Sequence, residues 1–271
     1  MKKTLFALVA LAAAGSAMAT STNPFARDIV EPVAVKSPYT FELGLTTHRE
    51  VYKEYGLDGA KLMQEEAWMT GVKGGVTREF ADIGGKLVLT GEFAMGKADY
   101  TGSYIGGNYG DLHINNLNRT LFEVTGMYKQ TAPMWKGLTA GAGLGYRRLV
   151  DNLQEGGPGG YKRTNDRLYL ILGLEQEFQL KQWTITPGVQ YKHILMSKQK
   201  SDLMGGVTVR QNDGYGAEAS IAFAHKGEKF NTVITPYYRL WDIKDSNVHS
   251  TGLYEPRNKT KEIGVSLTFQ F

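Results

Sequence analysis

The 271-residue sequence predicts an all-β chain folded as a transmembrane, antiparallel, up-and-down β-barrel of about ten strands. Three observations lead there. Apolar residues recur with period two, which is the mark of a strand with two unlike faces. The connections between these segments alternate between short and long. Beyond residue 19 no stretch approaches the roughly 20 consecutive apolar residues of a spanning helix, and the mean hydropathy lies below zero.

The chain opens on "MKKTLFALVALAAAGSAMA". Lys2 and Lys3 precede an apolar run from Leu5 to Ala14, and Ala17-Met18-Ala19 has the small-residue spacing of a secretory cleavage site. Residues 1–19 are therefore expected to be a signal peptide, and the mature chain to begin at Thr20. Residues 20–37 form a separate N-terminal segment with Pro24 and Pro32, followed by a barrel domain over 38–271.

Ten alternating segments follow, at 38–50, 66–79, 85–99, 118–129, 137–149, 166–178, 182–194, 214–225, 229–241 and 261–271. Each is close to the roughly 9–11 residues a tilted strand needs to cross a bilayer. "REFADIG", "KQTAPMWKG", "LKQ" and "KGE" make the tight connections. "EVYKEYGLDGAKLMQE", "DYTGSYIGGNYGDLHINNLN", "VDNLQEGGPGGYKRTN", "ILMSKQKSDLMGGVTVRQND" and "DIKDSNVHSTGLYEPRNKT" are read as long polar loops. The last segment, "KEIGVSLTFQF", alternates Ile263, Val265, Leu267, Phe269 and Phe271 against small or polar residues up to the terminus, where chains are ordinarily frayed.

The two faces separate a membrane barrel from a soluble one. In "GLTAGAGLGYRR", Leu138, Ala140, Ala142, Leu144 and Tyr146 share one face, and Thr139, Gly141, Gly143, Gly145 and Arg147 the other. In "YGAEASIAFAH", Tyr215, Ala217, Ala219, Ile221 and Phe223 oppose Gly216, Glu218, Ser220, Ala222 and Ala224. Small residues with isolated charges suit a narrow lumen, and the apolar face suits lipid. "GAGLGY" lies within a strand and lacks the strand-to-helix context of a phosphate cradle. "NDG" at 212–214 and "DIKD" at 242–245 read as turn chemistry and fall short of a calcium loop. Trp135 and Trp183 near the tight turns, with Trp68, Tyr100, Tyr146, Tyr191 and Trp241 toward the loops, are expected to form two interfacial girdles.

Composition restricts the function. The sequence has no cysteine, so stability depends on the core and on closure of the sheet. Removing the two signal lysines from 31 Lys+Arg leaves 29 against 27 Asp+Glu, a net charge of +2 that gives no reason to expect a nucleic-acid partner.

Taken together, the leader, the alternating strands, the unequal connections and the terminal aromatic resemble the small β-barrel proteins of Gram-negative outer membranes. That resemblance implies an outer-membrane location with both termini in the periplasm, so that residues 20–37 would be periplasmic and the long loops extracellular. It implies contact with outer-membrane lipid and lipopolysaccharide. It also implies recognition by the barrel-assembly machinery through Phe269 and Phe271, with no cofactor and no metal. The ligand of the extracellular loops is unknown.

The inward faces carry Glu42, Lys73, Glu92, Glu123, Arg147, Glu175, Lys192, Glu218, Arg239 and Glu262, about one charge per strand. Such charges in a narrow lumen are expected to pair, because an unpaired buried charge is costly. The favoured expectation is a largely plugged barrel serving envelope integrity or surface contact, with at most narrow small-solute permeation. One alternative is an outer-membrane protease, lipid hydrolase or acyltransferase, using His48, His113 or His193 with Asp99, Asp111, Asp151 or Asp166 at the rim. The second alternative is a small-solute diffusion porin.

Overall fold

The computed structural model describes residues 37–104, 107–157 and 160–271, so the expected signal peptide and residues 20–36 lie outside the described residues. In chain order the strands are β1 (Tyr39–Tyr55), β2 (Lys61–Phe80), β3 (Gly85–Gly102), β4 (Leu112–Thr131), β5 (Leu138–Asn152) and β6 (Lys162–Gln176). They continue as β7 (Phe178–Leu180), β8 (Trp183–Ser201), β9 (Val207–Arg210), β10 (Gly214–His225), β11 (Asn231–Ile243) and β12 (Arg257–Gln270). The short β7 and β9 each add to β8, and the other ten pair antiparallel in sequence. β12 pairs back with β1, which closes the sheet. Closure gives each of the ten wall strands a partner on both sides, the condition for a sheet to cross lipid.

Closure also explains the ordered C-terminus. Phe41 N–H donates to the Phe271 carbonyl at 2.9 Å, Phe271 N–H donates to the Phe41 carbonyl at 3.0 Å, and the two rings stack at 6.3 Å. β12 is thus held by β11 on one side and β1 on the other up to the last residue.

All ten expected segments are strands, but many continue further toward the long-loop end. β2 and β4 are 20 residues long, about twice what crossing a bilayer requires. The stretch "EVYKEYGLDGAKLMQE", expected to be a long loop, is mostly hairpin: β1 runs to Tyr55, β2 begins at Lys61, and only 56–60 connect them. The cause is that the alternation does not stop at residue 50. His48, Glu50, Tyr52 and Glu54 continue one inward face and are all buried. Likewise β8 reaches Ser201 and β9 pairs with it, inside a stretch read as loop.

The exterior divides into two zones. Leu43, Leu45, Leu89, Leu174, Val189 and Leu267 are among many large apolar side chains exposed on the lower wall, far more than a soluble surface carries. Toward the loops the exposed outward positions become Arg49, Lys97, Arg148, Lys200 and Lys261. An apolar band with a polar extension above it is the surface of a transmembrane barrel whose wall projects beyond the bilayer.

Trp135, Trp183, Trp68 and Tyr191 are exposed at the ends of this wall, as girdle residues are. Tyr100 and Trp241 are not girdle residues. Tyr100 packs on a core cluster of Ala94, Ala98 and Leu117, and Trp241 is fully buried. Parity explains both, since Tyr100 shares the inward face of Glu92 and Trp241 that of Arg239. The small inward residues make room for these rings. A Cβ at Gly145 would lie 2.3 Å from the Tyr169 ring, and one at Gly216 would lie 2.6 Å from Trp241.

Candidate functional site: an ion-pair network across the barrel interior

The ten residues expected to carry inward charge all project into the barrel, and the structure groups them by height. Nearest the tight turns, Glu42, Lys73, Glu92, Glu175 and Lys192 line a polar vestibule of about 460 Å³, together with Thr90, Thr125, Thr186 and Gln190. There Lys129 pairs with Glu175, whereas no ion pair joins Glu42 or Lys73 among the described residues.

Above the vestibule lies a first tier. Arg239 donates to Glu218 at 2.7 Å, Glu262 at 2.9 Å and Glu123 at 3.1 Å, and it approaches Glu92 at 4.0 Å. Lys192 donates to Glu218 at 2.8 Å and lies 3.7 Å from Glu123. Arg147 donates to Glu123 at 2.9 Å, to Glu50 at 3.3 Å and to Glu262. Glu123 also accepts from the Tyr169 hydroxyl. β1, β3, β4, β5, β6, β8, β10, β11 and β12 supply these groups, so the tier ties together opposite sides of the wall.

A second tier, absent from the sequence expectation, sits closer to the loops. Arg119 donates to Glu50 at 2.5 Å and to Glu65 and Asp151. Arg163 donates to Asp151 and Glu65, each at 3.0 Å, and to Glu54. Both guanidiniums lie over the Tyr52 ring, at 5.4 and 5.0 Å from its centroid. Tyr52 donates its hydroxyl to Glu54 at 2.8 Å, its oxygen lies 3.3 Å from Glu255, and Gln199 donates to Glu255. Glu50 accepts from Arg119 and Arg147 and so couples the two tiers. Glu255, in the connection between β11 and β12, is held well above the usual carboxylate range by burial and by the adjacent charge of Glu54.

This chemistry is electrostatic cross-linking. Arg119, Arg147 and Arg163 are each 1% exposed while facing three carboxylates apiece. Burying charge in this way is tolerated only with near-complete pairing.

The histidine candidates do not assemble. His48 is buried in the lumen, with Nδ1 at 3.1 Å from the Tyr237 hydroxyl and 3.9 Å from Glu92. His193 is exposed on the outer wall of β8. His113 is exposed near the loop end and contacts Thr101 at 3.2 Å. Asp151 is committed to Arg119 and Arg163, Asp166 accepts from Arg148 on the outside, and Asp99 and Asp111 accept from backbone N–H groups. Among the described residues no group of three His, Cys, Asp or Glu is disposed to hold a metal ion.

No family model and no curated protein matches the chain. Among solved structures, the outer membrane protease OmpT from Escherichia coli aligns with 12% identity over 86% of this chain and 96% of its own, with a TM-score of 0.48. The translocator domain of the autotransporter NalP from Neisseria meningitidis aligns with 15% identity over 84% of this chain and 87% of its own, with a TM-score of 0.44. The outer membrane protein OprG from Pseudomonas aeruginosa aligns with 14% identity over 86% and 95%, with a TM-score of 0.37. At these identities and scores no activity or residue role passes from any of them to this chain. The closed ten-stranded wall and its apolar exterior bear out the resemblance to small outer-membrane barrels at the level of that general class.

Proposed function

We propose that this chain is an integral outer-membrane barrel whose lumen is plugged by its own ion pairs, and that it serves envelope integrity or surface contact through its loops. The observation that carries this reading is the pair of linked tiers, in which Arg119, Arg147, Arg163 and Arg239 bridge carboxylates from opposite walls. A water-filled pore would leave such side chains solvated and separate. The vestibule below the tiers is a recess in the tight-turn half, consistent with at most narrow passage of small solutes.

The remaining assignments complete the proposal. Residues 1–19 are removed on export, residues 20–37 and the C-terminus face the periplasm, and the long connections face outward. The apolar band contacts membrane lipid, with lipopolysaccharide against the basic outer wall of Arg49 and Lys261. Phe269 and Phe271 serve as the assembly signal read by the barrel-assembly machinery. Liposome swelling with a graded series of sugars tests the plug. Proteoliposomes should swell no faster than empty ones for any sugar, and swelling at porin-like rates would replace this reading with a diffusion pore.

A further inference from the structure

Six Arg and Lys side chains are buried among the described residues, and five of them carry ion pairs. The sixth, Arg167 on β6, has none, although it is 2% exposed. Its Nη2 donates to Asn258 Oδ1 at 3.2 Å, its guanidinium lies 5.6 Å from the centroid of the Trp241 ring, and its Nε has no partner. The carboxylates whose charge reaches it, Glu50 and Glu262, are already engaged on both oxygens. Arg119 and Arg147 hold Glu50, and Arg147 and Arg239 hold Glu262.

The groups around Arg167 are similarly unanswered. Asn165, Ser197, Trp241, Asn258 and Thr260 are each at most 1% exposed, and each has a polar side-chain atom without a partner among the described residues. Register brings them together. Arg167 is opposite Ser197 between β6 and β8, Thr260 is opposite Trp241 between β11 and β12, and the Arg167–Asn258 bond spans the interior between these pairs. Arg167 Nε, Trp241 Nε1 and the amide nitrogens of Asn165 and Asn258 can only donate. The unpartnered oxygens beside them are the side-chain carbonyls of Asn165 and Gln199, which accept, and the hydroxyls of Ser197 and Thr260, which can donate or accept.

A fully buried guanidinium without a counter-charge, beside several unpartnered N–H donors, is a strongly unfavourable arrangement unless a ligand completes it. We propose that Arg167, Trp241, Asn258 and Ser197 form a binding site for a small monovalent inorganic anion of the halide class. One negative charge balances Arg167, and a spherical acceptor takes N–H donors from several directions at once. A phosphate would bring further negative charge toward Glu50 and Glu262, and water would bring donors of its own while leaving the cation uncompensated. The site adjoins the first tier, whose Arg147 and Lys192 lie 5.7 and 5.5 Å from the centroid of the Trp241 ring, and its test does not depend on whether the barrel conducts.

Two measurements on the full mature barrel test it. Crystals grown or soaked in sodium bromide should give an anomalous peak within hydrogen-bonding distance of Arg167 Nε and Trp241 Nε1. Ordered water alone at that position would overturn the proposal. In parallel, urea unfolding in sodium bromide and in sodium gluconate at equal ionic strength should show a higher midpoint in bromide, rising with bromide concentration. Arg167→Gln should abolish the difference between the two salts, and a difference of wild-type size in that variant would overturn the proposal. Equal midpoints of wild type in the two salts would overturn the proposal even if Arg167→Gln fails to fold.

Discussion

Arg147 and Arg148 are consecutive residues on β5 that face opposite sides of the wall, and they provide a matched test of the interior network. Arg147 points inward at 1% exposure and donates to Glu50, Glu123 and Glu262. Arg148 points outward, is half exposed, and bonds Asp166 at 2.6 Å. Arg147→Ala removes one cation from three buried carboxylates. None is wholly orphaned, since Glu50 keeps Arg119, Glu123 keeps Arg239 and Lys192, and Glu262 keeps Arg239. The expected loss is therefore at the lower end of the range for breaking a buried pair, about 3 kcal/mol. That corresponds to roughly a hundredfold in the folding equilibrium. Arg148→Ala removes a solvated pair and should cost at most ~1 kcal/mol. Reversible urea unfolding of the refolded barrels, followed by tryptophan fluorescence, measures both. Equal midpoints for the two variants would refute the argument that the interior pairs are desolvated and structural.

Three further outcomes are expected. Deleting Phe271 removes its ring stack on Phe41 and the last backbone bonds of the seam, and it should reduce insertion in cells more than folding into detergent. Equal loss in both assays would show that the residue acts through stability alone. An epitope inserted after Gly157 should be labelled on intact cells, and one inserted after Pro133, in the tight turn beside the exposed Met134, only after permeabilisation. The reverse pattern would invert the barrel. Burial and the charge of Glu54 raise the pKa of Glu255 in the folded state above the unfolded value of about 4.3. Its contribution to stability is thus full below that value and is lost as pH rises through the folded pKa. Raising pH from mildly acidic to alkaline should lower the unfolding midpoint of wild type more than that of Glu255→Gln, and parallel pH profiles would contradict this.

The period-two pattern made the wall and the inward charges legible, because parity alone assigns a residue to one side once a strand is recognised. What it obscured was where the strands stop. Segments were bounded by the length a bilayer requires, yet β1 carries Glu50, Tyr52 and Glu54 on the face that begins with His48. β2 does the same with Glu65, just outside 66–79, whereas Arg119 lies inside the expected segment 118–129 on the same face as Glu123. Parity continued past residue 50 reaches Tyr52 and Glu54, and parity within the expected segments already puts Arg119 on the face of Glu123 and Trp241 on that of Arg239. Other features left no such trace. In β8 the inward parity passes from Lys192 and Ile194 to Ser197 and Gln199 across a bulge in its pairing with β6, and neither glycine nor proline marks the shift. Which carboxylate meets which arginine is set by closure of the sheet, which brings Glu262 to Arg147 across 115 positions of sequence.

Single-channel recording in planar bilayers, combined with unfolding midpoints for wild type, Arg147→Ala and Arg239→Ala, tests the central claim most directly. A lumen plugged by buried ion pairs predicts little or no conductance for wild type and lowered midpoints for both variants. A stable open conductance in wild type would contradict the account, the more so if the two substitutions changed ion selectivity and left the midpoints where they were.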